Sequence, residues 1–258
     1  MKYADEMKQI EQDSEKFGVK DMRAPVVIRL DGWAFHTWVK EARCSKPFDE
    51  RMIYCMQYTA LELCRKIQTA VMAFVQSDEI SIVLRNDTSE NSEPWFDNRI
   101  QKLCSLSASM AGCLFNKVKN ETFGEDVKDA FFDSRVMYMP DRDAVLRCLT
   151  WRQLDCIRNS ISGLAQSQFS QKQLLNKKSE DMKAMLVEKG ADWNALETEK
   201  KYGALVHKTS TVGNYNGVEF TRKVFFVDKD FGLFDQAKFD EAYDYCMEKE
   251  NAYTPANS

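Results

Sequence analysis

From residue 26 to 30 the chain reads Val-Val-Ile-Arg-Leu, a β-branched apolar run that predicts a buried strand stopped by the turn-forming pair Asp31-Gly32. Over residues 49–68 the period changes. Ile53, Met56, Ala60, Leu63 and Ile67 recur at helical spacing, and Asp49, following Pro47, stands where an N-cap belongs. Two further apolar runs, 70–75 and 80–84, are separated only by Gln76-Ser77-Asp78-Glu79, which predicts a hairpin with an acidic pair at its tip. A second helix is expected over 95–115, with Ile100, Leu103, Ser107, Met110 and Leu114 on one side, and another strand over 132–139. The mixed charges of residues 1–23 predict a short helix or arm ahead of all this.

The resulting order, β-α-β-β-α-β, is the split pattern of a ferredoxin-like α+β fold, an antiparallel sheet with two helices on one face and the palm topology of many polymerases. Beyond it, 141–148 reads as a short helix. Thr150-Trp151-Arg152-Gln153 then has capping-box spacing for another helix to about 167, and Ser170-Gln171-Lys172-Gln173 repeats the signal. A strand over 223–227 and a helix over 235–250 complete the last third. The expected organisation is a palm-like core at 1–140 and a helical and mixed region at 141–258 that packs on it.

Composition narrows the class. The chain has 258 residues, 44% of them hydrophobic, with only 10 Gly and 5 Pro, which excludes a disordered or fibrous protein. A formal net charge of −4 gives no global signature of nucleic-acid binding, so any RNA contact must be regional. Local clusters exist at Arg99 with Lys102, at Lys172 with Lys177, Lys178 and Lys183, and at Lys200, Lys201 and Lys208, each of which also reads as a solvated face. The eight cysteines contain no C-x-x-C pair and fall mostly in apolar segments, as reduced core residues of a cytoplasmic protein do. No stretch of about 18 apolar residues is present to span a membrane.

The candidate chemistry follows from topology. In a split sheet the first and third strands are antiparallel neighbours, so Asp31 and Asp78 converge at one end. Gathered carboxylates suit magnesium, a hard cation that takes oxygen ligands and keeps positions open for water and phosphates. Two such ions lower the pKa of an attacking hydroxyl and neutralise a leaving pyrophosphate. Either motif alone reads as an ordinary turn.

Four strings carry a family resemblance. Arg29-Leu30-Asp31-Gly32-Trp33-Ala34-Phe35-His36 is similar to R-[IL]-D-G-x-x-F-H. Gln76-Ser77-Asp78-Glu79-Ile80-Ser81 is similar to Q-S-D-E-[YI]-S, Lys46-Pro47-Phe48-Asp49 to K-P-x-D, and Trp151-Arg152-Gln153-Leu154-Asp155-Cys156 to W-R-Q-A-D-C. In this order and spacing, over about residues 26–160, they resemble the tRNA-histidine guanylyltransferase family. The resemblance implies activation of an RNA 5′-monophosphate with ATP or GTP, then attack by the 3′-hydroxyl of a nucleoside triphosphate, so that growth runs 3′ to 5′.

Carried over by motif, Asp31 and Asp78 are implied as metal-binding carboxylates, the Gly32 carbonyl as a further ligand and Glu79 as an acidic supporter. His36, Lys46 and Asp49 are implied at the nucleotide, although Asp49 also explains itself as a helix cap. Arg99 and Lys102 resemble basic positions that hold a triphosphate. Ser77 reads either as a phosphate donor or as a turn residue. Arg152, Asn159, Lys172 and Lys183 are the expected RNA contacts. Where tRNA-histidine-specific members carry H-I-N-N, this chain has Ile157-Arg158-Asn159-Ser160 and retains only the asparagine, a pattern more like members that repair truncated tRNA 5′ ends. The resemblance also implies a homo-oligomer, tetrameric in many members. A palm-fold nucleotide cyclase and a non-catalytic RNA-binding module are the alternatives; the 151–156 string disfavours the first, and the retained carboxylates disfavour the second.

Overall fold

The computed structural model describes residues 3–17, 22–87, 92–215 and 218–245. Its elements are α1 (Tyr3–Phe17), β1 (Val26–Trp33), α2 (Phe35–Glu41), α3 (Glu50–Lys66), β2 (Ala70–Gln76), β3 (Glu79–Leu84), α4 (Ile100–Phe123), β4 (Phe131–Tyr138), α5 (Arg142–Gln168), α6 (Gln171–Leu174), α7 (Ser179–Glu188), α8 (Thr198–Tyr202), β5 (Ala204–Tyr215), β6 (Val218–Asp228) and α9 (Gln236–Asp244).

The expected α+β palm is present. β4, β1, β3 and β2 lie side by side, all antiparallel, in the order of a split β-α-β-β-α-β sheet. Alternate residues Val26, Ile28 and Leu30 of β1, with Ile80, Ile82 and Leu84 of β3, face α3 and α4 and build the larger core with Met56, Leu63, Leu103 and Phe115. Helix α3 begins where its cap predicts: the Asp49 carboxylate accepts from the Arg51 and Met52 amides at 2.9 and 3.3 Å.

The last third does more than extend the palm with helices. β5 pairs with β2 and β6 with β5, making one six-stranded sheet in the order β4-β1-β3-β2-β5-β6. Its other face is also covered. Val27, Phe74, Val83 and Met137 pack against Met7 of α1, Val145 and Leu149 of α5, and Phe239 and Tyr243 of α9. A satellite core of Ile161, Leu164, Leu174, Leu186 and Trp193 joins the second half of α5 to α6 and α7.

Two boundaries differ from the sequence-based expectation. Residues 141–167 form one helix, α5, capped by the Asp141 carboxylate on the Ala144 amide (2.7 Å); Thr150 caps nothing and turns its hydroxyl back to the Leu146 carbonyl (2.8 Å). The helix expected at 95–115 is a 3₁₀ turn at Trp95–Asn98 followed by α4, whose buried stripe runs Leu103, Ser107, Ala111, Phe115, Val118. Met110 and Leu114 lie beside that stripe, half-buried. Of the helix expected over 235–250, the residues after 245 lie outside the described part, as does Cys246.

Candidate active site

Asp31 stands on β1 directly opposite Glu79 of β3 and Asp133 of β4. The turn closing β2 to β3 consists of Ser77 and Asp78, and the Gly32 amide donates to the Asp78 carbonyl at 3.0 Å, tying the two acidic segments together. Ser77, in left-handed conformation (φ 45°), gives its hydroxyl to the Asp78 carboxylate at 3.0 Å. Gly32 is required by close approach, since a Cβ there would lie 2.2 Å from the Phe35 ring. That ring is fixed in an aromatic cluster with Trp38, Phe115 and Phe132 at 5.3–5.5 Å. The strand therefore runs through Asp31-Gly32 to Trp33, where the sequence predicts a turn.

Crowding of like charge is written into the site. Burial, then Asp78, Glu79 and Asp133 in turn, push the Asp31 carboxyl up to about 6. Burial also raises Asp78, against the Ser77 hydrogen bond, with Glu79 adding to the rise. Glu79 is set apart by its partner. Arg152 of α5 grips both of its oxygens, Nε to Oε1 at 2.7 Å and Nη2 to Oε2 at 2.5 Å, and reaches Asp155 at 2.9 Å. Gln76 adds its amide to Glu79 Oε1 at 3.2 Å.

Arg152, expected at RNA, is therefore a buried structural cation, 8% exposed, that anchors the acidic cluster from the helix above. With its carboxylate committed to that pair, Glu79 supports the site instead of facing a ligand. Asp49 is likewise engaged within the chain. Its carboxylate accepts from the Ser45 amide (2.7 Å), the first turn of α3 and a two-point contact from the Arg51 guanidinium (3.1 and 2.7 Å), the contacts of a helix cap at the wall of the cleft described below. Burial opposes that charge, but the Arg51, Ser45 and Met52 hydrogen bonds hold its carboxyl at about 2.

Beside the Ser77-Asp78 turn opens a cleft of about 650 Å³, bounded by α2, the loop 43–49 and Gly163 and Gln166 of α5. His36, Lys40, Arg43 and Lys46 line it, so it is cationic where the strand ends are anionic. His36 and Lys40, one turn apart on α2, meet at 2.9 Å. Asn159 lines a smaller adjoining cavity of about 250 Å³ with Gln57, Gln76 and Ser160. Arg99 and Lys102 are not brought to this end. Arg99 precedes α4 as its cap residue, not on its face, and the neighbouring Asn98 carbonyl accepts from Tyr138 at 2.5 Å, beside Val26 and five residues back along β1 from Asp31. Lys172 is exposed on α6, and Lys183 on α7 pairs with Glu180 (3.3 Å) and lies over the Trp193 ring (4.6 Å).

Sequence reasoning missed Lys40, Arg43 and Asp133. Lys40 was legible as the residue four after His36 on a helix; Asp133 becomes visible only in the β1–β4 register. Another acidic group, Glu50, Glu197 and Glu199, brings oxygens within 4.8 Å of one another, but Lys200 bridges Glu50 and Glu197 while Gln57 and Lys229 hold Glu199, so local ion pairs account for it.

Sequence comparison places the chain in a known family. The tRNAHis guanylyltransferase (Thg1) family model matches residues 4–140. The chain belongs to the tRNA-histidine guanylyltransferase family. A bacterial tRNA(His) guanylyltransferase-like protein solved in complex with ATP is 34% identical, with a TM-score of 0.76 over 96% of this chain and 99% of that one. A bacterial tRNA(His) guanylyltransferase-like protein in complex with GTP is 32% identical, TM-score 0.71, over 95% and 97%. The probable tRNA(His) guanylyltransferase of Mus musculus is 33% identical over 151 residues, 56% of this chain and 49% of the mouse protein. The chain thus spans about half the length of such curated relatives. Among the described residues no helix is long and apolar enough to cross a membrane.

Proposed function

We propose that this family member is a nucleotidyltransferase that adds nucleotides to the 5′ end of tRNA or a tRNA-like RNA, in the 3′ to 5′ direction. The observation that carries this reading is the cationic cleft of His36, Lys40, Arg43 and Lys46 opening on Asp78, with Asp31 on the adjacent strand. A triphosphate fits such a cleft, and the bacterial relatives solved with ATP and with GTP support it.

Asp31 and Asp78 fit a divalent cation: both are hard oxygen donors, both are only half-buried, and both are held above the usual carboxylate range by burial and by neighbouring acids, Glu79 in both cases, a crowding that a cation relieves. They would hold magnesium, with the Gly32 carbonyl as a further donor; bound there, the ions favour an alkoxide over a hydroxyl and neutralise phosphate charge. The residues of the chain orient the reactants. In the first step a 5′-phosphate oxygen of the RNA attacks the α-phosphorus of ATP or GTP, forming a phosphoanhydride and releasing pyrophosphate. In the second, the 3′-hydroxyl of a nucleoside triphosphate attacks the activated 5′-phosphorus, losing its proton and displacing the nucleoside monophosphate. Lys46, Lys40 and Arg43 balance triphosphate charge, His36 offers a ring at the same wall, and Arg152 keeps Glu79 from drifting toward the phosphates.

The finer reading is template-dependent repair. Its support is Ile157, which stands where the histidine-specific members carry the His of H-I-N-N and packs half-buried against the satellite core. The test is a gel at single-nucleotide resolution with magnesium, ATP, GTP and two 5′-monophosphorylated tRNAs, one full-length and one lacking its first nucleotide. Extension of the truncated tRNA matching the opposite base supports repair. A single G added to full-length tRNA-histidine overturns the repair preference, and no addition to either sinks the nucleotidyltransferase reading.

A further inference from the structure

The sheet face that carries Asp31 is laid out in rows, because alternate residues of paired strands share a face. Val27, Val83 and Met137 form a buried apolar row; Arg29, Ser81 and Arg135 form the next; Asp31, Glu79 and Asp133 the third. The last row is aromatic. Trp33 pairs in register with Phe131, their ring centroids are 6.3 Å apart at 69°, and they are 65% and 60% exposed. Among the described residues this is the only ring contact with both members more than half exposed.

An exposed pair of large rings loses hydrophobic stabilisation unless something covers it. Its surroundings say what. The rings follow the carboxylates by one row, roughly 6.7 Å along the strands. Trp33 lies on the strand of Asp31 and Phe131 on β4, the neighbour away from the β2–β3 turn on which the cationic cleft opens. The carboxylates thus stand between a charged cleft suited to a triphosphate and an uncharged platform. Beside a row of acids, a pair of uncharged rings suits the face of a base better than a phosphate. An edge-to-face pair also leaves broad ring surface free to stack while the second ring braces the first.

We infer that Trp33 and Phe131 form a stacking platform for the 5′-terminal nucleobase of the RNA whose phosphate is presented to Asp31 and Asp78. The inference rests on the nucleotidyltransferase reading above. The platform sets the height of the RNA end, so that the terminal phosphate reaches the carboxylates while the triphosphate enters from the opposite side. Stacking tolerates any base, as an enzyme that extends different 5′ ends requires.

The test uses a 5′-monophosphorylated truncated tRNA with 2-aminopurine as its first nucleotide. Wild-type protein quenches the fluorophore on binding; Trp33→Ala and Phe131→Ala lose the quench, and KM for the RNA rises roughly 5- to 100-fold, the range typical of one lost base stack. KM for ATP stays unchanged, and Trp33→Phe restores most of the effect. Both positions are exposed, so unchanged thermal melts verify folding. If wild-type extends this RNA and Trp33→Ala keeps both the quench and the RNA KM, the platform is overturned and the activity stands. If Trp33→Ala instead changes the sedimentation of the protein with RNA KM intact, the pair is a contact between copies of the chain and the inference fails. If wild-type neither binds nor extends the RNA, the functional reading falls, and the platform with it.

Discussion

Asp31 is crowded by like charges that Arg29 only partly offsets, and Asp78 is held by the Ser77 hydroxyl against burial and Glu79. Replacing either with Asn keeps shape and removes charge, so turnover is expected to fall by about a thousand-fold or more, in line with the loss of several kcal/mol of charge stabilisation, with melting unchanged or raised because a repulsion is relieved. Single-turnover kinetics and calorimetry of both variants check this; full activity in either one removes it from the site. Arg152 behaves in the opposite way. Arg152→Ala leaves Glu79 buried without its counter-charge, expected to cost about 3–5 kcal/mol of stability, visible in urea melts before any assay is run. A loss of RNA affinity from Arg152→Ala with stability intact would restore the RNA-contact reading of that residue.

Asp49 allows a test by pH. Its carboxyl sits at about 2 in the fold against roughly 3.9 in an unfolded chain. A carboxyl depressed by folding contributes stability that is fully present above the unfolded value and disappears as pH falls through the folded one. Asp49→Asn is therefore expected to lower stability by about 2–3 kcal/mol near neutral pH, with the difference from wild type closing between about pH 4 and pH 2. A difference that stays constant across that range would show that the cap is not ionised.

At the level of elements, the residues that could be read from sequence are those whose partners are close in the chain. The hairpin at 70–84, the cap at Asp49 and the strand at 26–30 are all local patterns. Thr150 misleads because a hydroxyl three residues before a glutamine reads as a cap, and only the continuity of α5 shows it bonded backward inside a helix. Arg152 misleads because its partner Glu79 is 73 residues distant. β5 escaped notice because its register is set by β2, more than a hundred residues earlier. Asp31 and Asp78 were found because topology, not contact, brings them together. Gly32 sits at the junction of these elements. Gly32→Ala drives a methyl group into the Phe35 ring, which its aromatic neighbours hold in place, with an expected loss of about 1–3 kcal/mol. Activity is expected to fall with it, since Asp31 shares the displaced backbone; differential scanning calorimetry paired with a turnover assay reads both.

For the whole molecule, the palm shares its sheet and its second core with the last third of the chain. The family match ends at residue 140, but the sheet face carrying Val27, Phe74, Val83 and Met137 is covered by α5 and α9, and the β2 edge by β5. A chain cut after residue 140 exposes that face and that edge together. It is expected to be insoluble or to bind hydrophobic dyes without a cooperative melt. A soluble, cooperatively melting fragment would instead support a boundary at 140.

Helix α5 is the member common to all these parts. Its first half lies on the sheet, Arg152 meets the acidic row at its middle, Gly163 and Gln166 wall the cleft, and its last turns carry α6 and α7. At 1.5 Å per residue its 27 residues make a rod of about 40 Å. The rod works as a ruler. Whatever α6 and α7 touch is held at a set distance from Asp31, because one unbroken helix joins them to the sheet.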